Sequence, residues 1–170
     1  YKKTGMEEIS KMYSLELSMD FTAKEIDYRE GKVLRHFTIY KSLLECDGII
    51  NIPKMKTHMF TRITGAVKNF YGAISGVMKV AYHSKYPDSE IFSGLLVDLV
   101  TYFNPRLNIV DGILAMEGNG PSWGKPKKAN VLIVGDNPFA VDWVICEILG
   151  MDYRSVPVSY THLRAHETSL

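Results

Sequence analysis

The chain has 170 residues, 46% of them hydrophobic and 23% charged, with a formal net charge of +1. This is ordinary globular composition, long enough for one domain with a real core. It leaves no global field favouring nucleic acid or an acidic membrane, and no apolar run approaches the roughly 18 residues that span a bilayer. Met6 to Leu15 places Met6, Ile9, Met12 and Tyr13 at helical spacing and predicts the end of a helix. Asp20 to Leu34 is mixed and polar, with Arg29-Glu-Gly-Lys32 as a turn between short strands. Tyr40 to Cys46 predicts a short helix stopped by Asp47-Gly48. Gly48 to Ile52 predicts a buried strand ended by Pro53, which cannot donate to a sheet ladder.

From Thr61 to Ile74, the residues Ile63, Val67, Phe70 and Ile74 recur at helical spacing and predict an amphipathic helix. Thr61, Gly65, Lys68 and Gly72 form a second stripe, small and polar with one lysine. That stripe either lets a ligand approach the backbone closely or makes a tight helix contact with Lys68 reaching to water. Tyr82 to Asp88 reads as a loop, Glu90 to Phe103 as a strong helix ended by Asn104-Pro105, and Arg106 to Val110 as a strand. Leu114 to Ala129 is glycine-rich and predicts a long irregular loop, of the kind that carries function or is disordered. Val131 to Val134 is a further buried strand. Asn137 at N-cap and Pro138 at N1 open a helix from Phe139 to Leu149 that Gly150 closes. Apolar strands alternating with helices predict an α/β domain with a mostly parallel sheet flanked by helices.

Charge is concentrated in Asn51 to Gly72, which holds Lys54, Lys56, His58, Arg62 and Lys68 and no Asp or Glu. A strand that ends in positive charge and then opens a helix is a plausible anion site. Asp111 and Asp136 follow two other strands. In a parallel sheet all three strand ends would share one edge, and carboxylates and cations there could bind an anionic substrate, hold a divalent ion or form an acid–base pair. Both Asp residues are equally explained as turn formers. Asp142 sits in a helix that is apolar on nearly all sides, so its carboxylate needs a lysine, a metal or backbone donors. His58 reads as a general base, a metal ligand or a structural histidine. His83, with Lys79 and Lys85, either extends the anion site or makes an exposed basic loop, and the loop is the favoured expectation. Gly118, Gly120 and Gly124 lack the Gly-Lys-Ser/Thr ending of a phosphate-binding loop.

Two cysteines, Cys46 and Cys146, lie outside any Cys-x-x-Cys pair, so thiolates of this chain alone do not build an iron–sulfur or zinc site. Both fall in apolar helical patterns and are expected to be reduced and buried, in a cytoplasmic compartment.

The motifs Asn51-x-Pro-Lys-x-Lys-Thr-His58, Thr64-Gly-Ala-x-Lys-Asn-x-x-Gly72, Met116-Glu-Gly-Asn-Gly-Pro121 and Ala140-Val-Asp142, in that order, resemble the family named domain of unknown function 362. The resemblance covers about residues 49–152. Members are often fused to ferredoxin-like domains with two four-iron clusters, so it implies a redox-linked role, with any clusters in a module absent from this chain. Carried over onto this sequence, it selects Lys54, Lys56, Lys68 and Asn69 to bind substrate, with His58, Glu117 and Asp142 catalytic. Asp111 and Asp136 are the candidates for a divalent metal. The expected function is an enzyme domain that binds an anionic small molecule and is served by a ferredoxin-type partner. The alternative is a non-catalytic module that docks a ferredoxin or regulatory partner through its basic face. Neither reading involves nucleic acid or a membrane.

The N-terminus lacks both an initiator Met and a signal-peptide core, so the chain reads as a fragment. Val158 to Thr168 has no core periodicity and resembles one reading frame of a transposon-end adapter used in sequencing libraries. The expected organisation is therefore one α/β domain over residues 1–157 and a non-native tail over 158–170. His162 and His166 are left out of any metal site on that ground.

Overall fold

The computed structural model describes residues 1–159. Its centre is a six-stranded sheet built around one long strand, β6 (Leu107–Asn119). Along one side of β6 run two short collinear strands, β3 (Ile50–Asn51) and β4 (Lys54–His58), both parallel to it. Pro53 separates them, yet its carbonyl accepts the Asp111 N–H at 2.9 Å, so the ladder continues past the proline. On the other side, β7 (Trp123–Lys127) and β8 (Val131–Gly135) run antiparallel to β6, and β5 (Arg62–Thr64) closes the β4 edge as a hairpin. The expected α/β architecture is present. Its parallel part is β3, β4 and β6, to which hairpin strands are added.

The helices α2 (Ala66–Asn69), α4 (Ser89–Phe103) and α5 (Pro138–Leu149) pack as a layer with the sheet. The alternation of strand side chains decides which face they cover. Met55, Val110 and Ile133 point into a core with Ala66, Val141 and Ile145. The opposite set, Ile50, Ile52, Leu132 and Val134, is exposed. A second core forms where α4 meets α2, the following 3-10 turn (Phe70–Ala73) and β2 (His36–Tyr40), which pairs with β1 (Ala23–Asp27) in a separate two-stranded sheet. Asp98, buried on α4, accepts the backbone N–H groups of Lys32, Val33 and Leu34 at 2.7–3.1 Å and so ties the preceding loop to this core.

Several local expectations change. The Thr61–Ile74 helix begins only at Ala66, because Arg62 to Thr64 pairs with β4 instead. Its first half is rich in Thr and Ile, which suit a pleated edge as well as a helix. The predicted Leu114–Ala129 loop is mostly the β6–β7 hairpin. Two of its glycines, Gly120 and Gly124, sit where the backbone is crowded: a Cβ on Gly120 would lie 1.8 Å from the Thr57 carbonyl oxygen. The Tyr82–Asp88 loop is largely the end of α3 (Gly76–Lys85), and of Tyr40–Cys46 only Lys41–Leu43 is helical, as a 3-10 turn. Cys146 is buried as expected, its thiol pushed up to about 12 by burial, whereas Cys46 is exposed. Val158 and Ser159, placed in the excluded tail by the sequence pattern, are buried, Val158 within the second core. His162 and His166 lie outside the described residues.

Candidate functional site

Alternation along β4 puts Lys54, Lys56 and His58 on one side, opposite the buried Met55. Gly65 then turns the chain into α2, whose last residues are Lys68 and Asn69. The result is a pocket of about 290 Å³ that brings Lys54, Lys56, His58, Lys68 and Asn69 together. Thr64, Tyr71, Gly72, Lys79 and Pro121 also line it, and among the described residues its lining contains no carboxylate. Pro121 arrives because the β6–β7 turn folds back over β4: the Met59 N–H donates to the Gly120 carbonyl at 3.3 Å, and the Thr57 hydroxyl to that of Gly118 at 2.8 Å.

Two groups fix α2. Asp142, 3% exposed on α5, accepts the Ala66 N–H at 2.6 Å and the Val67 N–H at 3.2 Å. These donors at the start of a helix have no partner within it. Burial pushes the carboxyl up to about 7 against the opposing pull of both N–H groups. A Cβ on Gly65 would lie 2.2 Å from the Asp142 Oδ1, which explains the glycine. Asp142 thus acts through backbone donors and does not line the pocket, so it is a positioning residue where a catalytic one was expected. The second group is a chain of amides. Asn69 Nδ2 donates to Asn51 Oδ1 at 2.8 Å, Asn51 Nδ2 donates to Asn108 Oδ1 and the Ala66 carbonyl at 2.9 Å, and Asn108 Nδ2 reaches the Gly135 and Asp136 carbonyls. Asn69 therefore anchors α2 to the sheet through its side-chain amide.

The pocket's charges oppose one another. Lys68 is pulled down to about 8, first by burial and then by Lys56 and Lys79. Its Nζ lies 4.5 Å from the Tyr71 ring centroid and 5.5 Å from that of Phe92. Lys79 is also lowered by burial, and its ammonium donates to the Gly72 carbonyl at 3.2 Å. Lys54 is neutralised by Asp111, whose carboxylate lies 2.5 Å from the ammonium. The free positive charge of the pocket is therefore that of Lys56, Lys68 and Lys79.

Of the three readings open for His58, general base, metal ligand and structural histidine, the geometry matches the hydrogen-bonded structural one. Its Nδ1 accepts the backbone N–H groups of Phe60 and Thr61 at 3.1 and 3.2 Å, so that nitrogen carries a lone pair and the ring proton resides on Nε2. Burial, then Lys68, His83 and Lys56, lower its pKa to about 4. At neutral pH the ring is an uncharged N–H donor, suited to polarising an oxygen and not to accepting a proton at Nδ1. Thr64 adds a buried hydroxyl that has no hydrogen-bond partner among the described residues.

Glu117, Asp111 and Asp136 are not among the residues that line this pocket. Glu117 projects from the β6–β7 hairpin and pairs with Lys127 at 3.3 Å. Asp111 is committed to Lys54 and to the Ile113 N–H at 3.0 Å. Because β8 runs antiparallel to β6, Asp136 lies at the opposite end of the sheet. Leu132 is the partner of Asp111, and four further residues along β8 separate Asp136 from it by roughly 13 Å at the rise of a strand. Among the described residues no three His, Cys, Asp or Glu side chains converge to hold a metal ion.

Lys79, Thr64, Asn51 and Asn108 were not among the selected site residues. Lys79 was named only with His83 and Lys85, as an extension of the anion site or part of an exposed basic loop, the loop being favoured; it stands on α3 and lines the pocket. Asp98 carries the same signature as Asp142, a carboxylate inside an apolar helix, and could have been found by it. His83 stacks on Phe92 with centroids 4.6 Å apart, and Lys85 is not among the pocket residues.

The model for Domain of unknown function (DUF362) matches residues 1–147. The chain belongs to this family. The DUF362 match begins well before the resemblance at residue 49 and takes in β1, β2 and α1 (Met6–Tyr13). Thylakoid-associated protein sll1697 of Synechocystis sp. (strain ATCC 27184 / PCC 6803 / Kazusa) is 34% identical over 139 residues. That alignment takes in 78% of this chain and 43% of the relative, so the chain spans less than half the length of that relative. No solved structure matches the chain. Among the described residues no helix is long and apolar enough to cross a membrane.

Proposed function

We propose that this DUF362 chain is a cytoplasmic enzyme domain that binds an anionic small molecule in the pocket between β4 and α2. The observation that carries the reading is the convergence of Lys56, Lys68 and Lys79 on one recess that no carboxylate lines among the described residues. Such a cluster is self-repelling when empty, and a bound anion relieves the repulsion; an interior that shifts lysine pKa values downward is the kind found at functional sites. The neutral His58 supplies an oriented N–H, and the Thr64 hydroxyl a hydrogen bond left open by the fold. The redox link to a ferredoxin-type partner rests on the family resemblance.

Docking of an acidic ferredoxin through the basic face is the alternative, and the recessed position of Lys68 disfavours it: docking surfaces steer with exposed charge. Inorganic phosphate, sulfate and oxalate, titrated against the chain by calorimetry at low salt, test the proposal. At least one should bind in the wild type and lose about tenfold or more in affinity in Lys56→Met and Lys79→Met. Binding unchanged in both variants, or seen in neither wild type nor variant, refutes it.

A further inference from the structure

Lys68 stands apart from the other lysines of its pocket. Lys54 has a carboxylate partner and Lys79 a carbonyl acceptor. Among the described residues Lys68 has no carboxylate within ion-pair distance; its ammonium rests only on the faces of Tyr71 and Phe92. The backbone that carries it is held from two directions, by Asp142 at the start of α2 and by the Asn69–Asn51–Asn108 amides at its end. Around it stand two cations, one neutral N–H donor and one buried hydroxyl without a partner.

This is the environment that makes an amine nucleophilic: a desolvated lysine beside other cations, where the uncharged form is accessible near neutral pH. We propose that Lys68 condenses through Nζ with the carbonyl carbon of an anionic aldehyde or ketone, such as a 2-oxo acid, whose carboxylate is held by Lys56 and Lys79. The inference deepens the anion-site reading and rests on it. In the condensation the Nζ lone pair forms a bond to the carbonyl carbon while the carbon–oxygen π pair moves to oxygen. Water then leaves from the carbinolamine, both its hydrogens coming from the amine, and a carbon–nitrogen double bond remains. No oxidant or reductant is consumed. His58 Nε2–H and the Thr64 hydroxyl are the hydrogen-bond donors available to the carbonyl oxygen. The resulting imine, once protonated, restores a cation at the position and can accept electron density from a neighbouring carbon.

The lowered Lys68 pKa of about 8 supports this. It leaves roughly one amine in ten uncharged at pH 7, against fewer than about one in a thousand for an ordinary lysine. A bound anion pulls the pKa back upward, and Lys56 and Lys79 limit that pull by neutralising the anion themselves.

Glyoxylate, an anionic aldehyde, is the probe. The chain is incubated with it and sodium cyanoborohydride at pH 7, and the carboxymethyl groups fixed on each lysine are quantified by peptide mass spectrometry. Lys68 should be modified at least about tenfold faster than the exposed Lys11 and faster than Lys56 or Lys79, and oxalate should protect it. In Lys68→Arg the signal at this position should vanish while Lys11 reacts as before. Lys68 reacting no faster than Lys11, in protein that calorimetry shows to bind oxalate, overturns the imine and leaves the anion site standing. Rapid labelling of Lys68 that oxalate does not slow overturns recruitment by the lysine pair, and with it both readings.

Discussion

Replacing Lys68 with methionine should stabilise the unliganded chain at pH 7. The side chain is largely buried, and its pKa falls from the ordinary 10.5 to about 8. At 1.36 kcal/mol per unit, holding the charged form in the fold costs about 3 kcal/mol. The Tyr71 face returns part of this, about 1 kcal/mol for a partly desolvated cation–π contact. Methionine keeps the apolar stem without the charge, so the net gain is about 2 kcal/mol, or about 4–8 °C in midpoint for a chain of this size. The sign of the pH dependence follows from the direction of the shift. Between pH 8 and 10.5 the unfolded chain holds a proton that the folded chain has released, so wild-type stability rises with pH across that window. The advantage of Lys68→Met should therefore be full below pH 8 and shrink toward pH 10.5. Urea unfolding followed by circular dichroism, wild type beside variant at pH 7 and pH 10, measures both quantities. A variant less stable than wild type at pH 7, or an advantage equal at the two pH values, refutes the view that Lys68 is held in a self-repelling site.

Two other outcomes follow from the same geometry. Asp142→Ala removes the acceptor for two buried N–H groups and should cost about 2–6 kcal/mol in urea unfolding, at about 1–3 kcal/mol per orphaned group; a loss under 1 kcal/mol would mean that α2 keeps its place without the cap. His58, followed by nitrogen-detected NMR, should hold its proton on Nε2 at pH 7 and titrate near 4. Because the unfolded ring takes up its proton near 6.5, this histidine should subtract stability as pH falls from 6.5 to 4. A midpoint near 6.5, or a proton on Nδ1, contradicts the turn geometry.

Legibility in the sequence divided along a physical line. The α4 and α5 helices were readable because period, caps and breakers agree: Asn137 accepts from Phe139 and Ala140, Pro138 follows, and Gly150 closes at φ 64°. Lys54, Lys56 and Lys68 were readable for a different reason, that a run of cations without acids is rare in a neutral chain; Lys79 lies outside that run. The β4–β5 hairpin was not readable. Ile63, Val67, Phe70 and Ile74 satisfy a helical stripe while serving two separate cores, Ile63 in one and the other three in the second. Periodicity cannot tell one continuous face from two faces joined at Gly65. The direction of β8 was equally hidden, since an apolar tetrapeptide has no polarity of its own. Assuming it parallel moved Asp136 to the wrong end of the sheet.

That error bears on what kind of chemistry the domain can host. With β8 parallel, carboxylates and lysines would meet at one edge and a metal-assisted site would be the natural reading. With β8 antiparallel, the carboxylates separate into structural tasks: Asp111 on Lys54, Glu117 on Lys127, Asp142 on the start of α2. What remains in the pocket is cationic and neutral. Lys56, Lys68 and Lys79 can bind and polarise an anion, and His58 and Thr64 can donate hydrogen bonds. Among the described residues no carboxylate lines the pocket to remove a proton, and His58 has already spent its acceptor nitrogen on the β4–β5 turn. A base in such a site would be one of the lysines, and burial beside Lys56 and Lys79 loosens the proton of Lys68. The placement of the acids thus directs attention to the amine, whichever reaction it serves.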